Sequence, residues 1–348
     1  LLYYQGNNIS LESSMSKTGS ANGSFSGNFI YDRLLQQRSH FLRDLSRTVD
    51  FSFVKPALKD FYVDWGRDPW DPVLMFKMVF LQFLYNLSDR EIEEQCTWNM
   101  MYKWFLGLSA EELPPDHTTL CRFRVRLGAE GFQRLFNQVV EQARARGFVS
   151  DRLHIIDATD IAAKVDLFRL KKDHAQGDDD DTYVDRNSPD PDARFGRKSK
   201  KKGFYGYKAH IVEDAESELI VGVMTTPGNV PDGGVLPLLI DSGPREVTGD
   251  KGYDRAANHA HLEEMGAASG IIRIRRGPGR PRKSRRERPK VERKFAEGNQ
   301  RHGLKKARYW GLVKVSIQSF MVAIVVNLKR MVKLALLAAP EPRLAYAA

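Results

Sequence analysis

Apolar positions from residue 31 to about residue 147 recur at the three- and four-residue spacing of helices. The stretch DPVLMFKMVFLQFLYN places Asp71 as a helix cap before Pro72, and its apolar residues then cover nearly every face. This pattern predicts a central, buried helix. In LSDREIEEQ, Ser88 precedes Glu91 by three residues, which predicts a capping box and the start of another helix.

Two further helices are predicted before residue 148. In PPDHTTLCRFRVRLG a cap cluster, Asp116 to Thr119, precedes a helix that carries several arginines. The following segment, GFQRLFNQVVEQARARG, has its apolar residues at helical spacing. Together these segments predict a compact, all-helical region.

The pattern changes at Asp151, after which short runs rich in Ile and Val alternate with turn residues. The runs LHIIDAT, GYKAHIVED, ELIVGVMTT, REVTGD and SGIIRIR are typical of strands. Helical patterns lie between or after them in VLPLLID, RAANHAHLEEMG and VERKFAEGNQ. Asp254, which precedes RAANHAHLEEMG, is expected to cap that helix. We therefore expect an α/β region in which helices pack on a mixed sheet.

The most apolar window, LVKVSIQSFMVAIVVNL, is interrupted by polar residues and is short for a bilayer crossing. It predicts a buried helix, and we expect no membrane span. The domain boundaries that follow from these patterns are a disordered segment at 1–28, a helical domain at 29–148, an α/β domain at 150–335 and a flexible tail at 336–348. Within the α/β domain we expect a polar insertion at 166–202 and a basic linker at 275–290.

The charge of the chain is concentrated in one place. The formal net charge is +10, and Arg273 to Lys294 contribute 12 − 2 = +10 of it. A local cationic block indicates a polyanionic partner, with nucleic acid ahead of an anionic membrane surface. Cys96 and Cys121 show neither metal-site nor disulfide spacing, so we expect two packed thiols in a reducing compartment.

Two acidic residues end predicted strands: Asp157 follows LHII, and Asp250 ends EVTGD. A carboxylate so close to a core is costly unless a metal ion or a partner compensates it. A third carboxylate would have to come from a neighbouring helix, and Glu292 near the start of VERKFAEGNQ is the candidate. Phosphodiester chemistry without a covalent intermediate uses two divalent ions held by two or three such groups.

Other acidic and histidine motifs favour structural interpretations. Four consecutive acids at Asp178 to Asp181 are typical of a solvated loop, and Asp160 and Asp166 are favoured as ordinary polar residues. The motif HAH at His259 to His261 lies in a predicted helix, where residues two apart point in different directions. Joint metal ligation by the two rings is therefore not expected.

Several segments are candidates for contact with nucleic acid. The arginine-bearing helix after Asp116 could be a helix-turn-helix reader or a solvated face of a packing helix, and the sequence does not decide between them. GPGRPRK could insert into a minor groove or could be a solvated loop with phosphate contacts. Asn229 and Asp232 follow a strand in TTPGNVPD, which favours a place beside the functional site.

The chain resembles the DDE transposases of bacterial insertion sequences, in the broad group around insertion sequences four and five. The resemblance rests on DPVLMFKMVFLQFLYNLSDREIE, PDHTTLCRFR, IDAT, GFYGYKAH, TTPGNVPD, TGDKGYD, RPKVERKF and HGLKKARYWG, in that order. It implies an RNase H-like catalytic domain in which Asp157, Asp250 and Glu292 bind Mg²⁺, for which Mn²⁺ may substitute.

The resemblance also implies double-stranded DNA partners, namely terminal inverted repeats and target DNA, a homodimer in the DNA complex, and a place in the bacterial cytoplasm at the nucleoid. The expected DNA contacts are Arg122, Arg124, Arg126, Asn229, Arg280, Arg282, Lys283, Arg285, Arg286, Arg288, Arg301 and Lys305. The sequence departs from the family pattern at Arg285, where a tyrosine is usual, and at Asn299, where a lysine is usual. Arg301 or Lys305 would then take over the phosphate contact.

We thus expect a transposase that cleaves DNA at element ends and joins them to a target. Two alternatives stay open at this point. One is a catalytically impaired, transposase-derived DNA-binding protein, which Asn299 favours. The other is an RNase H-like nuclease that cuts branched DNA without terminal repeats.

Overall fold

The computed structural model describes residues 39–62, 68–172, 180–199, 202–240, 243–274 and 282–338. The predicted disordered segment at 1–28 lies outside these residues. The predicted tail at 336–348 is wrong for its first residues, because the last helix continues to Ala338. The remainder of that tail also lies outside the described residues.

The first part of the described chain is helical, as the apolar spacing predicts. Its helices are Phe41–Thr48 (α1), Val54–Leu58 (α2), Pro72–Leu84 (α3), Asp89–Trp98 (α4), Met100–Leu106 (α5) and His117–Ala145 (α6). Asp71 accepts a hydrogen bond from the Val73 amide at 2.7 Å, and Ser88 and Glu91 form both bonds of the capping box. The predicted helix starts are therefore confirmed.

Helix α6 is interrupted at Gly128, where two predicted helices meet. The backbone of Gly128 has φ 56° and ψ −164°, a conformation that a residue with a Cβ rarely adopts. Asp116 caps the start of α6 by accepting from the Thr119 amide. The glycine thus separates α6 into two helical halves that run in different directions.

Six strands of the described chain form one sheet in the order β2-β3-β1-β5-β6, with β4 also paired to β3. They are His154–Ala162 (β1), Arg194–Ser199 (β2), Lys202–Asp214 (β3), Ile220–Pro227 (β4), Glu246–Gly249 (β5) and Ala268–Ser269 (β6). β3 runs antiparallel to β1, β2 and β4, whereas β5 runs parallel to its two neighbours, β1 and β6. The expected RNase H-like mixed sheet with flanking helices is confirmed.

Two details of the sheet differ from the sequence prediction. The polar insertion at 166–202 is not all loop, because it contains Leu167–Lys172 (α7), Asp180–Asn187 (α8) and strand β2. The predicted strand SGIIRIR is regular only at β6, although the Ile272 amide still donates to the Gly249 carbonyl at 3.1 Å. As an edge strand, β6 has a partner on one side alone, which favours short regular pairing.

The helices of the second part are Leu236–Leu239 (α9), Ala256–Glu264 (α10), Arg282–Arg301 (α11) and Leu312–Ala338 (α12). The predicted basic linker at 275–290 is therefore wrong over its second half, because α11 already begins at Arg282 and contains Pro289. The apolar window is confirmed as a buried helix within α12. Among the described helices, none combines the length and the hydropathy that a membrane crossing requires.

Helix α12 joins the helical region to the sheet. It packs on α6, α3 and α1 on one side and on β4 on the other. One continuous buried cluster runs from Leu42 to Val332, and Phe320 of α12 meets Phe136 of α6 with ring centroids 6.0 Å apart. The two predicted domains thus share one core.

The connection between α11 and α12 forms a junction, residues 302–311, with the α3–α4 turn. Buried His302 donates to the Phe83 carbonyl at 3.1 Å, and Arg308 donates to the Leu87 carbonyl at 2.8 Å. A Cβ on Gly303 would lie 2.4 Å from Asn86 Oδ1, so the Gly303 backbone packs closely against the Asn86 side chain. The same junction pairs with the end of β1, where Ala307 donates to the Ala162 carbonyl at 2.8 Å.

The two cysteines differ in their surroundings. Cys96 is buried, and burial raises the pKa of its thiol to about 12. Cys121 is exposed, so the expectation of two packed thiols is wrong for this residue. Its position on α6 turns outward because the apolar stripe of that helix is carried by Leu120 and Phe123.

A pH-dependent contribution to stability is expected from Glu297. Hydrogen bonding from His302, with the ammonium of Lys329 beside it, lowers the pKa of this carboxyl to about 2. A lowered folded pKa stabilises the protein above the unfolded value of 4.5, and this stabilisation is lost as the pH falls toward 2. Glu297→Gln should lower the free energy of unfolding at pH 7 by on the order of 1 kcal/mol, after allowing for partial solvent screening.

Urea unfolding at a series of pH values checks this expectation. The difference between Glu297→Gln and wild type should shrink steadily below pH 4.5. Glu264→Gln, which changes an exposed carboxylate on α10, is the matched control. A pH-independent difference would contradict the assigned pairing.

Candidate functional site

Parallel pairing of β1 with β5 brings two acidic residues side by side. Ile156 is the register partner of Gly249, and Asp157 and Asp250 are the next residue of each strand's path. Neighbouring strands lie about 4.8 Å apart, and register partners point to the same face. Side chains two residues apart on a strand point to the same face, so Asp157 lies on the face of β1 that carries Ile155. Ile155 belongs to the main core, and α11 packs on this face of the sheet.

Asp157 is largely enclosed, with 14% of its side chain exposed. Its Oδ1 accepts from the Ala158 amide at 2.9 Å, and Arg288 of α11 donates to its Oδ2 at 3.5 Å. Burial raises the pKa of Asp157 above its ordinary value, and these two donors act in the opposite direction. The carboxylate therefore depends on compensating positive groups.

Asp250 begins a short 3-10 turn, Lys251–Tyr253, and accepts from the Gly252 amide at 2.8 Å. A Cβ at Gly252 would lie 2.9 Å from Asp250 Oδ1 and 3.7 Å from Asp232 Oδ2. Glycine at this position lets the turn fold beneath both carboxylates. Asp232 thus approaches the Asp157–Asp250 pair from a different loop.

Asp232 is held by a lysine that the sequence analysis did not single out. Lys208 of β3, with 14% of its side chain exposed, donates to Asp232 Oδ1 at 2.7 Å and to the Val230 carbonyl at 2.9 Å. This leaves Asp232 Oδ2 on the side of Gly252. The TTPGNVPD loop therefore lies beside the acidic pair, as predicted for Asp232.

Tyr253 lies beneath the same groups and was also missed. Its side chain is fully buried, and its hydroxyl has no hydrogen-bond partner among the described residues. Burial raises its pKa well above the ordinary value, and the negative charges of Asp232, Asp157 and Asp250 add to the effect. The phenol therefore stays protonated as a hydrogen-bond donor. No sequence signal distinguishes it from a core tyrosine.

Glu292 lies on α11 but stands apart from the pair. Val291 and Phe295 anchor this part of the helix in the core, whereas Glu292 is exposed. Arg288 precedes Glu292 by four residues, so the two share a helix face. Among the described residues, no three His, Cys, Asp or Glu side chains lie close enough to hold a metal ion together. The structure thus brings together Asp157 and Asp250, with Glu292 one helical turn beyond Arg288.

Apart from Arg124, the candidate DNA contacts fall into three groups. Exposed side chains at Arg122, Arg126, Asn229, Arg301 and Lys305 are available to a partner. Arg288 faces Asp157. Arg280 lies outside the described residues, as do the side chains of Arg282, Lys283, Arg285 and Arg286.

Arg124 does not fit the DNA-contact prediction. Its side chain is buried, donates to Gln82 Oε1 at 3.2 Å and pairs closely with Asp89 of α4. Its guanidinium also lies 5.3 Å from the ring centre of Tyr309. The alternation of arginines in RFRVR suggested one exposed face, but residues two apart on a helix point in different directions.

Two motifs near the site have structural partners. Asp254 does not cap α10, whose cap position is Arg255; it lies 2.9 Å from His259 Nε2 and accepts from the Ile274 amide. His261 instead lies against the Ile240 carbonyl, so the two histidines have different partners. In the run of four acids, Asp178 and Asp179 lie outside the described residues, and Asp180 and Asp181 begin α8 rather than forming a loop.

Comparison with known proteins gives two family matches. The model described as Transposase domain (DUF772) matches residues 29–126, and the model described as Transposase DDE domain matches residues 150–328. A similar solved structure is that of the piggyBac transposase synaptic complex with hairpin DNA. That likeness has 11% identity and a TM-score of 0.35 and covers 89% of this chain and 84% of that chain.

Substitutions of Arg122 and Arg124, two arginines of α6, are expected to differ in their effect on stability. Arg124→Ala leaves Asp89 and Gln82 without their partner and should lower the free energy of unfolding by about 2 kcal/mol, because one member of a buried pair is lost. Arg122→Ala removes an exposed side chain and should change the unfolding midpoint little. Chemical denaturation of both variants measures the difference. Equal stability of the two would contradict the structural role of Arg124.

Proposed function

Because the chain belongs to the family of DDE transposases and is therefore an enzyme that cleaves DNA, we propose that Asp157, Asp250 and Glu292 are its catalytic carboxylates. The observation that supports this proposal most directly is the register of β1 and β5, which sets Asp157 beside Asp250. Both strands are anchored in the sheet, so the pair sits on rigid elements, as a reaction centre requires.

Glu292 is proposed as the third carboxylate because of the helix that carries it. Arg288 contacts Asp157, and Glu292 lies four residues further on the same face of α11. Its exposure is compatible with contact to DNA and to ions that bridge the DNA and the protein.

The donor set suits Mg²⁺, which prefers carboxylate oxygens and keeps several of its waters. DDE transposases in general use divalent metal ions. Two ions held at Asp157, Asp250 and Glu292 would supply activation of the attacking oxygen and stabilisation of the leaving oxygen, and we propose that Mn²⁺ substitutes for Mg²⁺. Arg288 and the Ala158 amide favour the charged, ligating form of Asp157 over the protonated form that burial favours.

We propose that the substrates are double-stranded terminal inverted repeats and target DNA. Water would attack the phosphodiester at an element end, and the 3′-hydroxyl released would then attack the target strand. Exposed Arg122, Arg126, Arg301 and Lys305 and the basic start of α11 provide phosphate contacts. Joining two ends in one complex favours a homodimer, and a DNA substrate of this kind places the protein at the bacterial nucleoid.

Asn299 stands where a lysine is usual in the family, and its surroundings favour a phosphate contact made by other residues. Its Oδ1 is buried and has no partner among the described residues. Arg301 ends the same helix, Lys305 follows in the next connection, and both side chains are exposed. We propose that these cations replace the lysine.

Single substitutions test the catalytic assignment. Asp157→Asn, Asp250→Asn and Glu292→Gln should each reduce Mg²⁺-dependent cleavage of terminal-repeat DNA by more than about 100-fold, exceeding the loss caused by removing an outer partner of a metal ligand. Affinity for the same DNA, measured without divalent ions, should be retained because the phosphate-binding cations are unchanged. Gel-based cleavage and fluorescence anisotropy provide the two measurements.

Glu264→Gln serves as the control, since its carboxylate is exposed on α10. Normal cleavage by any of the three catalytic-site variants would remove that residue from the assignment. A wild-type protein that binds terminal repeats but cleaves them with neither Mg²⁺ nor Mn²⁺ would instead support a DNA-binding protein without catalysis. Cleavage of branched DNA lacking repeats would support a nuclease.

A further inference from the structure

We propose that Asp232, anchored by Lys208, is a positioning residue of the catalytic centre that holds a water molecule of the divalent ion bound at Asp157 and Asp250. This inference rests on the proposed function of that pair. It adds a residue from outside the predicted three-carboxylate set. Lys208, Gly252 and Tyr253 complete the arrangement.

The direction of Asp232 is the first observation. Its Oδ1 accepts from Lys208, while its Oδ2 and the Oδ1 of Asp250 converge on the same small space above Gly252. A Cβ in that space would be 2.9 Å from Asp250 and 3.7 Å from Asp232. Two carboxylates of different loops would repel each other here unless a cation or a hydrogen-bond donor lay between them.

The anchoring of Asp232 is the second observation. Lys208 uses two acceptors, Asp232 and the Val230 carbonyl, and the middle of the loop between β4 and α9 is thereby tied to β3. Asn258 adds a further tie by donating to the Gly233 carbonyl at 2.9 Å. A carboxylate fixed this firmly keeps its remaining oxygen in one direction, as an outer partner of a metal site must.

Tyr253 provides an independent indication that a ligand belongs here. Its fully buried hydroxyl lacks a partner among the described residues, and Asp232, Asp157 and Asp250 all act on it electrostatically. Buried hydroxyls are normally hydrogen-bonded, either by protein or by water. A water molecule shared with the acidic groups would satisfy this one.

Contact through water, rather than direct ligation, follows from the spacing. No three acidic or histidine side chains of the described chain are close enough to share an ion, so Asp232 does not complete a ligand set with the pair. Mg²⁺ keeps several of its waters in protein sites. An outer carboxylate can therefore orient one of them by accepting its hydrogen bond.

Binding of Mn²⁺ to the full-length protein, without DNA, tests the proposal by the loss of the free-ion electron paramagnetic resonance signal. Asp232→Asn should weaken Mn²⁺ affinity by about 10-fold, the lower end of the range for outer partners. Gly252→Ala should weaken it as well, because the added Cβ displaces Asp250 or Asp232. Glu264→Gln should bind as wild type does.

A charge-conserving pair of substitutions separates position from net charge. Asp232→Leu combined with Lys208→Met removes one negative and one positive charge and leaves no acceptor oxygen at position 232. If Asp232 acts by accepting a hydrogen bond from a bound water, the double variant stays about 10-fold weaker than wild type. Recovery of wild-type affinity in the double variant would show a long-range charge effect and overturn the proposal. Thermal unfolding of each variant verifies that it is folded.

Asp157→Asn distinguishes failure of this inference from failure of the proposed function. Loss of Mn²⁺ binding in Asp157→Asn with wild-type binding in Asp232→Asn would overturn the role of Asp232 alone. Wild-type Mn²⁺ binding in Asp157→Asn would overturn the proposed metal site itself. Asp232→Glu keeps a carboxylate, with one oxygen for Lys208 and one for the water, and should recover part of the affinity that Asp232→Asn loses.

Discussion

Two carboxylates held side by side on neighbouring inner strands of a buried sheet need compensation of their negative charge, and the surrounding structure supplies it. Asp157 and Asp250 are fixed there by the register of β1 and β5, which neither strand can change without moving its apolar residues out of the core. Arg288 comes from α11, and the Ala158 and Gly252 amides come from the local chain. The pairing of β1 with β5 thus brings two negative charges together, and Arg288 of α11 and the two backbone amides compensate them.

The elements with strong local signals could be predicted from the sequence. Helix caps at Asp71, Ser88 and Asp116 are local hydrogen-bond patterns, and Asp157 and Asp250 stand out as acids that follow short apolar runs. The prediction that Asp157 ends its strand is wrong, because β1 continues to Ala162. The fold class follows from the order of strands and helices. Even the nearness of Asp232 was indicated by its place in a turn after a strand.

Features made by distant residues could not be predicted in this way. Lys208 and Asp232 are 24 residues apart, and their pairing appears only once β3 and the loop after β4 meet. Arg124 is buried because Asp89, 35 residues away, lies opposite it, although the other two arginines of RFRVR, Arg122 and Arg126, are exposed. Strand β2 was missed because RFGRKS lacks the apolar alternation of an inner strand, which an edge position does not require.

The junction at 302–311 affects whether the helical part and the α/β part of the chain can be separated. Two family models divide the sequence near residue 140, yet His302 and Arg308 hydrogen-bond to backbone carbonyls of α3 and of the turn after it, and α12 packs on both parts. Separation at that boundary would expose the apolar surface of α12 and leave those groups unpaired. The two segments therefore form a single folding unit, and exchange of the helical part between relatives requires its α3–α4 turn to match the recipient's junction.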